Sequence, residues 1–423
     1  MHLLKSSIHR FNTFLVAKSK LLPPTSHSTR SSHNYAESFY ATDDNEYDLF
    51  IETARKFVLD EVVPKAGHYD ETGEYPWELV RKAHELGLMN TDTPEEYGGL
   101  ELPLPTKARL YEEFGYGCTG LGTSLMVNEL AQIPLRLAGS TYLRDKYIRK
   151  MTESPILASY AVTEANAGSD LANLKTRAEL RMGHFVLNGS KVWITNGGIA
   201  DWFFVLARTD FQMNAPRSTA FSGFIVDAST AGITVGKKEQ NMGQRCSDTR
   251  TIHFDNVIVP LENVVGEPGD GFKLAMRSFD RTRPIVAAMA CGLSRRALDA
   301  ATTYATQRKT FGRPLTDHQG ISFKLANMAM NLELSRLAMT KAATIVEENG
   351  KDAAYFSSIA KCFAADTAVR AASDAIQVFG GNGFNKEYPV EKLLRDAKLL
   401  QIYGGTSEIQ KLVVSRRLVA RYV

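Results

Sequence analysis

The residues whose types and spacing suit ligand chemistry begin in two short segments. The first, YAVTEANAGSD, runs over residues 160–170; its small residues let backbone N–H groups approach a ligand, and Thr163 and Ser169 add hydroxyl donors. The second, VWITNGG, contains Trp193 and, two residues on and hence on the same side of a strand, Thr195. That pair suits a flat ring such as a flavin, although a Trp on a strand is also typical of a packed core.

Two further segments carry groups suited to an anion. RKTFGRPLTDHQ contains Arg308, Lys309 and Arg313, which can clamp a pyrophosphate or form a solvated charged face. QVFGGNGF places a Gly-Gly-Asn-Gly turn after an apolar run, and its consecutive amides can form an anion-binding nest or simply end a helix. Neither segment identifies a ligand by itself.

Composition excludes several classes of protein. At 423 residues, with 44% hydrophobic and 23% charged residues, the chain is expected to form two or three packed units. A net charge of +3 gives no case for a nucleic-acid binder. No apolar run approaches the roughly 18 residues that a membrane span needs. The cysteines are scattered without a CxxC pair, which argues against a zinc site or a disulfide framework and fits a reducing compartment: Cys118, Cys246, Cys291 and Cys362.

The first 36 residues differ from the rest of the chain. They are basic and rich in Ser and Thr, and the first acidic residue is Glu37. Their apolar residues would line one face of a helix. This is typical of a mitochondrial transit peptide cleaved near Ser38, while a disordered basic tail is the alternative.

Three regions follow with different periodicities. Apolar residues recur at helical spacing from about residue 44 to 153, alternate with a period of two from about 159 to 271, and return to helical spacing to the end. Within the middle region, HFVLNGSKVWITNGG predicts a type I′ hairpin at Asn188-Gly189 and a turn at Asn196-Gly197. These patterns predict an α+β chain that is mainly α, in the order helical, β, helical.

The order of these segments along the chain is more informative than any one segment alone. TEANAGSD, VWITNGG, DRTRP, RKTFGRPL, QVFGGNGF and IYGGTSEIQ together resemble the acyl-CoA dehydrogenase family, and NMGQRCSDTR and GGNGFNKEYPVEKLLRDAK resemble its medium-chain branch. The resemblance implies an N-terminal helical domain (39–158), a middle β-barrel-like domain (159–271) and a C-terminal four-helix bundle (272–423) after the leader (1–38). It also implies FAD, an acyl-CoA substrate, electron-transfer flavoprotein as electron acceptor, a homotetramer and the mitochondrial matrix.

The resemblance carries site residues onto this chain, and it implies no metal. Those expected to hold FAD, partly from a neighbouring subunit, are Tyr160, Val162, Thr163, Ser169, Trp193, Ile194, Thr195, Arg308, Lys309, Thr310, His318, Gln319, Gln377, Val378, Phe379, Gly380, Gly381, Thr406, Ser407 and Glu408. Those expected to face the acyl-CoA are Ser169, Asp280, Arg281, Thr282, Arg283 and Gly405.

The carboxylate base that the resemblance implies is missing from this chain at both expected positions. The family reaction removes an α-proton and a β-hydride from the acyl chain, and the family places the glutamate base at the position of Gly404 or, in other branches, of Thr282. Neither residue here is a carboxylate. Asp280 and Glu408 are the alternative acids, but Asp280 lies about 200° around a helix from Thr282, and Glu408 suits helix capping. The sequence therefore predicts binding of FAD and acyl-CoA with slowed proton removal; a non-catalytic binding homologue with a sensor or regulatory role is the alternative.

Overall fold

An eight-stranded sheet separates two groups of helices along the chain. The structure is a computed structural model, and it describes residues 47–212 and 215–423. The predicted leader lies outside the described residues. The order helical, β, helical confirms the predicted fold class.

The N-terminal helices pack around a core that includes Phe50, Phe57 and Phe114, each with no exposed surface. Two of the helices continue through π-helical turns at Val58–Val62 and Arg144–Ile148. The helices are α1 (Asp48–Phe57), α2 (Val63–Thr72), α3 (Trp77–Glu85), α4 (Leu104–Gly117), α5 (Thr119–Ala138), α6 (Thr141–Leu143) and α7 (Arg149–Glu153).

The middle region supplies the sheet, whose strand order is β6-β7-β3-β2-β4-β5-β8, with β1 parallel to β4. Its inward side is aromatic and β-branched, as in Phe203, Phe224 and Ile252, all fully buried. The strands are β1 (Ala158–Ala161), β2 (Arg177–Arg181), β3 (His184–Thr195), β4 (Trp202–Arg208), β5 (Phe221–Asp227), β6 (Ile233–Lys238), β7 (Thr249–Pro260) and β8 (Val264–Val265).

The predicted hairpin at Asn188-Gly189 is wrong. Strand β3 runs straight through this dipeptide, and the hairpin turn lies earlier, at Met182 and Gly183, which have φ of 46° and 79°. Gly189 is needed for a different reason: a Cβ there would approach Thr176 Oγ1 to 2.5 Å. The predicted turn at Asn196-Gly197 is confirmed, with Gly197 donating to the Ile194 carbonyl.

The C-terminal helices form the largest packed unit. Helices α8, α9 and α10 pack on one another, and α11 and α12 cover α10. The buried pairs Arg336–Glu112 (2.7 Å) and Arg295–Glu113 (2.6 Å) join this unit to α4. Breaking such a buried pair typically costs about 3–5 kcal/mol, so α8 is firmly held. The helices are α8 (Gly271–Gln307), α9 (Gln319–Glu347), α10 (Ala353–Phe379), α11 (Val390–Leu400) and α12 (Ser407–Val419); the short strands β9 (Lys309–Thr310) and β10 (Arg313–Pro314) follow α8.

Among the described residues, no helix combines the length and apolarity that crossing a bilayer requires.

Candidate active site

Strand β1 delivers Tyr160 to the start of α8. The Tyr160 ring stacks on Phe204 with centroids 5.0 Å apart and meets Phe279 edge-on at 5.8 Å. Burial raises the pKa of the Tyr160 hydroxyl, so it stays a neutral donor at physiological pH. This contact brings the segment after β1 beside Asp280 and Thr282.

A buried ion pair between Lys191 and Glu164 fixes the loop after Tyr160. Lys191 Nζ donates to Glu164 Oε1 at 2.8 Å and to the Val162 carbonyl at 3.0 Å, and Glu164 also accepts from the amides of Lys175 and Thr176. Burial lowers the pKa of Lys191 to about 8, because the opposing effect of Glu164 is smaller. The loop beyond the pair is open: Thr163 is half-buried, and Ala165, Gly168 and Ser169 are exposed.

Trp193 does not belong to the core, which corrects the packed-core interpretation. Its side chain is 62% exposed, and its φ of 59° lies in the left-handed region. The reason is a bulge: β3 uses one extra residue between Lys191 and Ile194 against β7. Holding a bulky residue in this conformation is strained, and such strain clusters at functional sites. The neighbouring Ile194 is buried, so only its backbone can reach a ligand.

A hydrogen-bonded chain links the end of β3 to the loop after α11. Asn196 is fully buried and exchanges hydrogen bonds with Ser124, through its own Nδ2 to the Ser124 carbonyl at 2.9 Å and its Oδ1 with the Ser124 hydroxyl. The next residue back, Thr123, contacts the Tyr403 hydroxyl at 3.2 Å. Thr195 and Gly404 therefore border the same space, although 209 positions separate them in the sequence.

The two glycines of that loop have fixed carbonyls. Gln410 Nε2 donates to the Gly404 and Gly405 carbonyls at 3.1 and 3.0 Å, and Lys361 Nζ donates to the Gly405 carbonyl at 2.6 Å. Within the described residues, the Gly404 and Gly405 amides donate to no protein acceptor. In a trans peptide the N–H points away from the C=O, so anchoring the Gly404 carbonyl turns the Gly405 amide to the opposite side of the loop.

Gly404 packs against the helix that carries Thr282. A Cβ built on Gly404 would meet Val286 Cγ2 at 3.7 Å, an ordinary contact, and Val286 lies one helical turn after Thr282 on the same face of α8. The Thr282 hydroxyl donates back into its own helix, 3.1 Å from the Ser278 carbonyl and 3.2 Å from that of Phe279. The Gly404 loop therefore packs against α8 one turn beyond Thr282, and neither Gly404 nor Thr282 carries a carboxylate.

The alternative acids are engaged elsewhere. Asp280 accepts from Arg283 Nη1 at 2.6 Å; burial raises the pKa of Asp280, while Arg283 and then Arg417 of α12 act in the opposite direction. Glu408 is exposed in the first turn of α12, and hydrogen bonds from its own amide and the Thr406 side chain lower the pKa of Glu408.

The remaining residues of the site have mixed surroundings. Arg281 pairs with Glu347 Oε2 at 3.1 Å and stays half-buried. Thr406 caps α12 by accepting from the Ile409 amide at 3.2 Å, and the buried Ser407 donates to Asp366 at 3.1 Å. These contacts fix the loop more than they expose ligand groups.

The predicted anion-binding residues form a second cluster at the far end of α8. Asn382 Nδ2 donates to the Tyr304 hydroxyl at 3.0 Å and the rings of Tyr304 and Phe379 stack at 4.1 Å, which joins the end of α8, just before the 308–319 segment, to the turn after α10. His318 contacts Thr310 Oγ1 at 3.2 Å. Within this cluster the exposed residues are Arg308, Lys309, Gln319, Gln377, Gly380 and Gly381, whereas Val378 and Phe379 are buried. Along α8, 28 residues at 1.5 Å each put Arg308 about 42 Å from Asp280.

Known proteins with the same organisation identify the family. Family models for the acyl-CoA dehydrogenase N-terminal, middle and C-terminal domains match residues 44–154, 159–257 and 269–419. A Caenorhabditis briggsae protein named probable medium-chain specific acyl-CoA dehydrogenase 2, mitochondrial, is 51% identical over 366 residues, covering 86% of this chain and 88% of the relative. The butyryl-CoA dehydrogenase of Megasphaera elsdenii has a TM-score of 0.86 at 36% identity, covering 90% of this chain and 99% of that one. The glutaryl-CoA dehydrogenase in complex with glutaryl-CoA has a TM-score of 0.85 at 32% identity, with coverages of 89% and 95%.

The fold and the site thus define a flavin-dependent oxidoreductase acting on CH–CH groups. The chain belongs to the acyl-CoA dehydrogenase family, which confirms the resemblance drawn from its motifs. The residues present fit FAD: an exposed indole on a strained bulge and an open loop of small residues border one space. No group of three potential metal-binding side chains occurs in the part of the chain that the structure describes.

Several residues that shape the site had no sequence signal. Lys361 and Gln410 hold the glycine carbonyls, and Lys191 and Asn196 hold the segments around Trp193. Each sits inside an ordinary helix or strand pattern, and only the fold brings it to the loop it supports.

Proposed function

We propose that the protein binds FAD and a medium-chain acyl-CoA in the space between β1, β3, α8 and the Gly404 loop, and that it oxidises this substrate slowly because a base is missing. The observation that supports this is that Gly404 packs against Val286, one turn after Thr282 on α8, and that neither Gly404 nor Thr282 has a side chain able to accept a carbon-bound proton. The name of the worm relative supports the medium chain length.

The groups for the thioester oxygen are intact. The amides of Gly404 and Gly405 have no protein acceptor among the described residues, and their carbonyls are fixed from behind by Gln410 and Lys361. A preorganised donor aimed at a developing oxyanion contributes about 3–4 kcal/mol to catalysis. Substrate polarisation is therefore expected to survive even where proton removal does not.

Proton removal is the weak step. Loss of a positioned general base costs about 10²- to 10⁴-fold in rate. Thr282 cannot take the role, because its hydroxyl is a poor base and is bonded to the Ser278 and Phe279 carbonyls. Asp280 is bonded to Arg283, and Glu408 lies exposed in the first turn of α12.

Trp193, Thr195 and the loop at Thr163–Ser169 would hold the flavin of FAD, with Tyr160 beside them. FAD, when bound, would supply the acceptor for the β-hydride. The protein's own residues would hold the ring and orient the acyl thioester toward the Gly404 loop. Asp280, Arg281 and Arg283 would face the rest of the acyl-CoA.

The second cluster supports a homotetramer. Arg308 lies about 42 Å along α8 from Asp280, which is too far for both residues to contact one FAD molecule. The exposed cluster at 308–319 and 377–381 would therefore bind the FAD of a neighbouring subunit. Helix α9 also presents an apolar stripe that needs covering: Phe323, Met330, Leu334 and Leu337, each more than half exposed.

Three further assignments rest on family likeness. Mitochondrial location is supported by the name of the worm relative and by the basic leader, and the matrix with electron-transfer flavoprotein as acceptor follows from the proposed role in fatty-acid β-oxidation. The division at residues 38, 158 and 271 is supported by the strands that run from Ala158 to Val265 between the two helical parts.

The missing base also favours a second candidate, a homologue that binds FAD and acyl-CoA without turnover and acts as a sensor. One experiment separates the two. FAD-loaded protein is mixed anaerobically with octanoyl-CoA, and loss of the visible flavin absorbance is followed. Slow loss supports the impaired enzyme, and no loss beyond the rate of free FAD supports the sensor.

Two variants at the base position complete this test. Gly404→Glu is expected to speed the loss of absorbance by about 10²-fold or more. Gly404→Gln imposes the same backbone strain without a basic group and should leave the rate unchanged. Rapid loss in the native protein would overturn the proposal.

A further inference from the structure

Two cysteines far apart in the sequence meet in the fold. Cys118 Sγ lies 3.9 Å from Cys246 Sγ, and both side chains are buried, with 5% and 3% exposed. Cys118 precedes α5 in the N-terminal helical region, and Cys246 lies in the segment between β6 and β7. Both are free thiols. A disulfide needs about 2.05 Å between sulfurs, so the pair is in contact but unbonded.

The surroundings favour a thiolate on one member of the pair. Cys118 is the N-cap residue of the 20-residue helix α5, and Lys392 Nζ lies 3.7 Å from its sulfur. The hydrogen bond with Cys246 lowers the pKa of Cys118; burial opposes this, Lys392 adds to it, and Asp396 opposes it. The same hydrogen bond and burial raise the pKa of Cys246. A helix N-terminus and a nearby cation both lower the pKa of a thiol.

We propose that Cys118 and Cys246 form a redox-active pair, in which Cys118 is oxidised by hydrogen peroxide and Cys246 resolves the product to a disulfide. The Cys118 thiolate attacks one peroxide oxygen: an S–O bond forms, the O–O bond breaks, and hydroxide leaves with two electrons from sulfur. The Cys246 thiol gives its proton to that hydroxide, and its sulfur attacks Cys118. The S–S bond forms as the S–O bond breaks, and hydroxide departs and is protonated from solvent. Two thiols and one peroxide thus give one disulfide and two waters.

Hydrogen bonds to Asp396 and Tyr403 link the elements that carry the cysteine pair to the candidate active site. Gln244, two residues before Cys246, donates its amide to Asp396 Oδ1 at 2.6 Å, and the same carboxylate accepts from Thr119 at 3.0 Å. Lys392 pairs with Asp396 at 2.6 Å, so the cation beside Cys118 and the segment that holds Cys246 meet at this carboxylate. Tyr403 lies against Thr123 of the same helix, one residue before Gly404.

The test uses the full FAD-loaded protein and hydrogen peroxide. After oxidation, free thiols are blocked with iodoacetamide and the unreduced digest is analysed by mass spectrometry. The expected product is a cross-linked peptide pair containing Cys118 and Cys246, two hydrogens lighter than the separate peptides and split by dithiothreitol. Before oxidation, iodoacetamide should modify Cys118 at least about tenfold faster than the fully buried Cys291.

Single variants assign the roles. In Cys246→Ser, peroxide should leave Cys118 as a sulfenic acid that dimedone traps. In Cys118→Ser, Cys246 should stay reduced, because its pKa is not lowered and its partner is absent. The inference is overturned if the native protein gives no cross-linked pair, if Cys118 reacts no faster than Cys291, or if Cys246 oxidises equally well alone.

Discussion

A Cβ on Gly404 would stand 3.7 Å from Cγ2 of Val286, one turn beyond Thr282 on α8. The two positions where the resemblance implies a base therefore lie one helical turn apart along α8, one on the loop that packs there and one on the helix. In this chain both positions are without a carboxylate, and the surrounding scaffold is retained.

Placing a carboxylate on the helix should also restore proton removal. Thr282→Glu puts a base one turn from Val286, and we expect flavin reduction by octanoyl-CoA to speed up by about 10²-fold. Thr282 is 6% exposed, so burial should raise the pKa of the new carboxyl and make the rate rise with pH. Stopped-flow absorbance at several pH values measures this. Thr282→Gln is the matched control, and equal acceleration by Gln would refute a role for the carboxylate.

Lys361 should give the folded protein a specific pH dependence. It has no exposed surface, and burial lowers its pKa from 10.5 to about 8. Between these values the unfolded chain holds more protons than the folded one, so stability rises with pH there. As the pH is raised, the unfolding free energy of the native protein should therefore increase relative to that of Lys361→Met, by up to about 1.4 kcal/mol per pH unit. Denaturant unfolding from about pH 7.5 to 9.5 tests it; a difference constant with pH would contradict a lowered pKa.

A substitution at Trp193 should change FAD affinity and stability in opposite directions. Trp193→Gly removes an exposed ring and relieves a left-handed backbone, so the FAD-free protein should gain about 1 kcal/mol in stability. FAD should bind about tenfold or more weakly, because aromatic stacking is lost. Fluorescence titration with FAD and denaturant unfolding measure the two effects. Trp193→Phe keeps a ring and should bind nearly normally; unchanged affinity in the Gly variant would rule out the ring contact.

The apolar stripe on α9 links assembly to cofactor retention. Leu334→Glu puts a charge where a neighbouring subunit is expected to pack, so light scattering should detect smaller species, and these should retain less FAD. Leu180→Glu is the control, because Leu180 is 62% exposed on β2, outside the stripe. An unchanged oligomeric state in the α9 variant would contradict this interface.

Motifs and periodicity predicted the architecture and the family, because the helical and strand periods are strong and the flavin-site segments keep their order. The errors were local. Asn188-Gly189 has the composition of a hairpin turn, yet Gly189 is required by its approach to Thr176 on a neighbouring segment. Trp193 was open to a core interpretation, since the bulge that turns it outward depends on the register with β7.

Long-range contacts could not be predicted from spacing. Cys118 and Cys246 are 128 positions apart, and their scattered positions argued against any pairing. Lys361 reaches the Gly405 carbonyl across 44 positions, from a helix whose pattern shows only packing. Such contacts depend on how helices and sheet dock, which no local pattern determines.

The most direct measurement is hydrogen exchange at the acyl α-carbon in D₂O, using a 3-thia acyl-CoA. Sulfur at the β position cannot donate hydride, so deuterium uptake reports proton removal alone. We expect uptake by the native protein to be slow but above the rate without protein, and Gly404→Glu to raise it by about 10²-fold or more. Uptake by the native protein as fast as that of Gly404→Glu would show that a working base is present and would contradict the account.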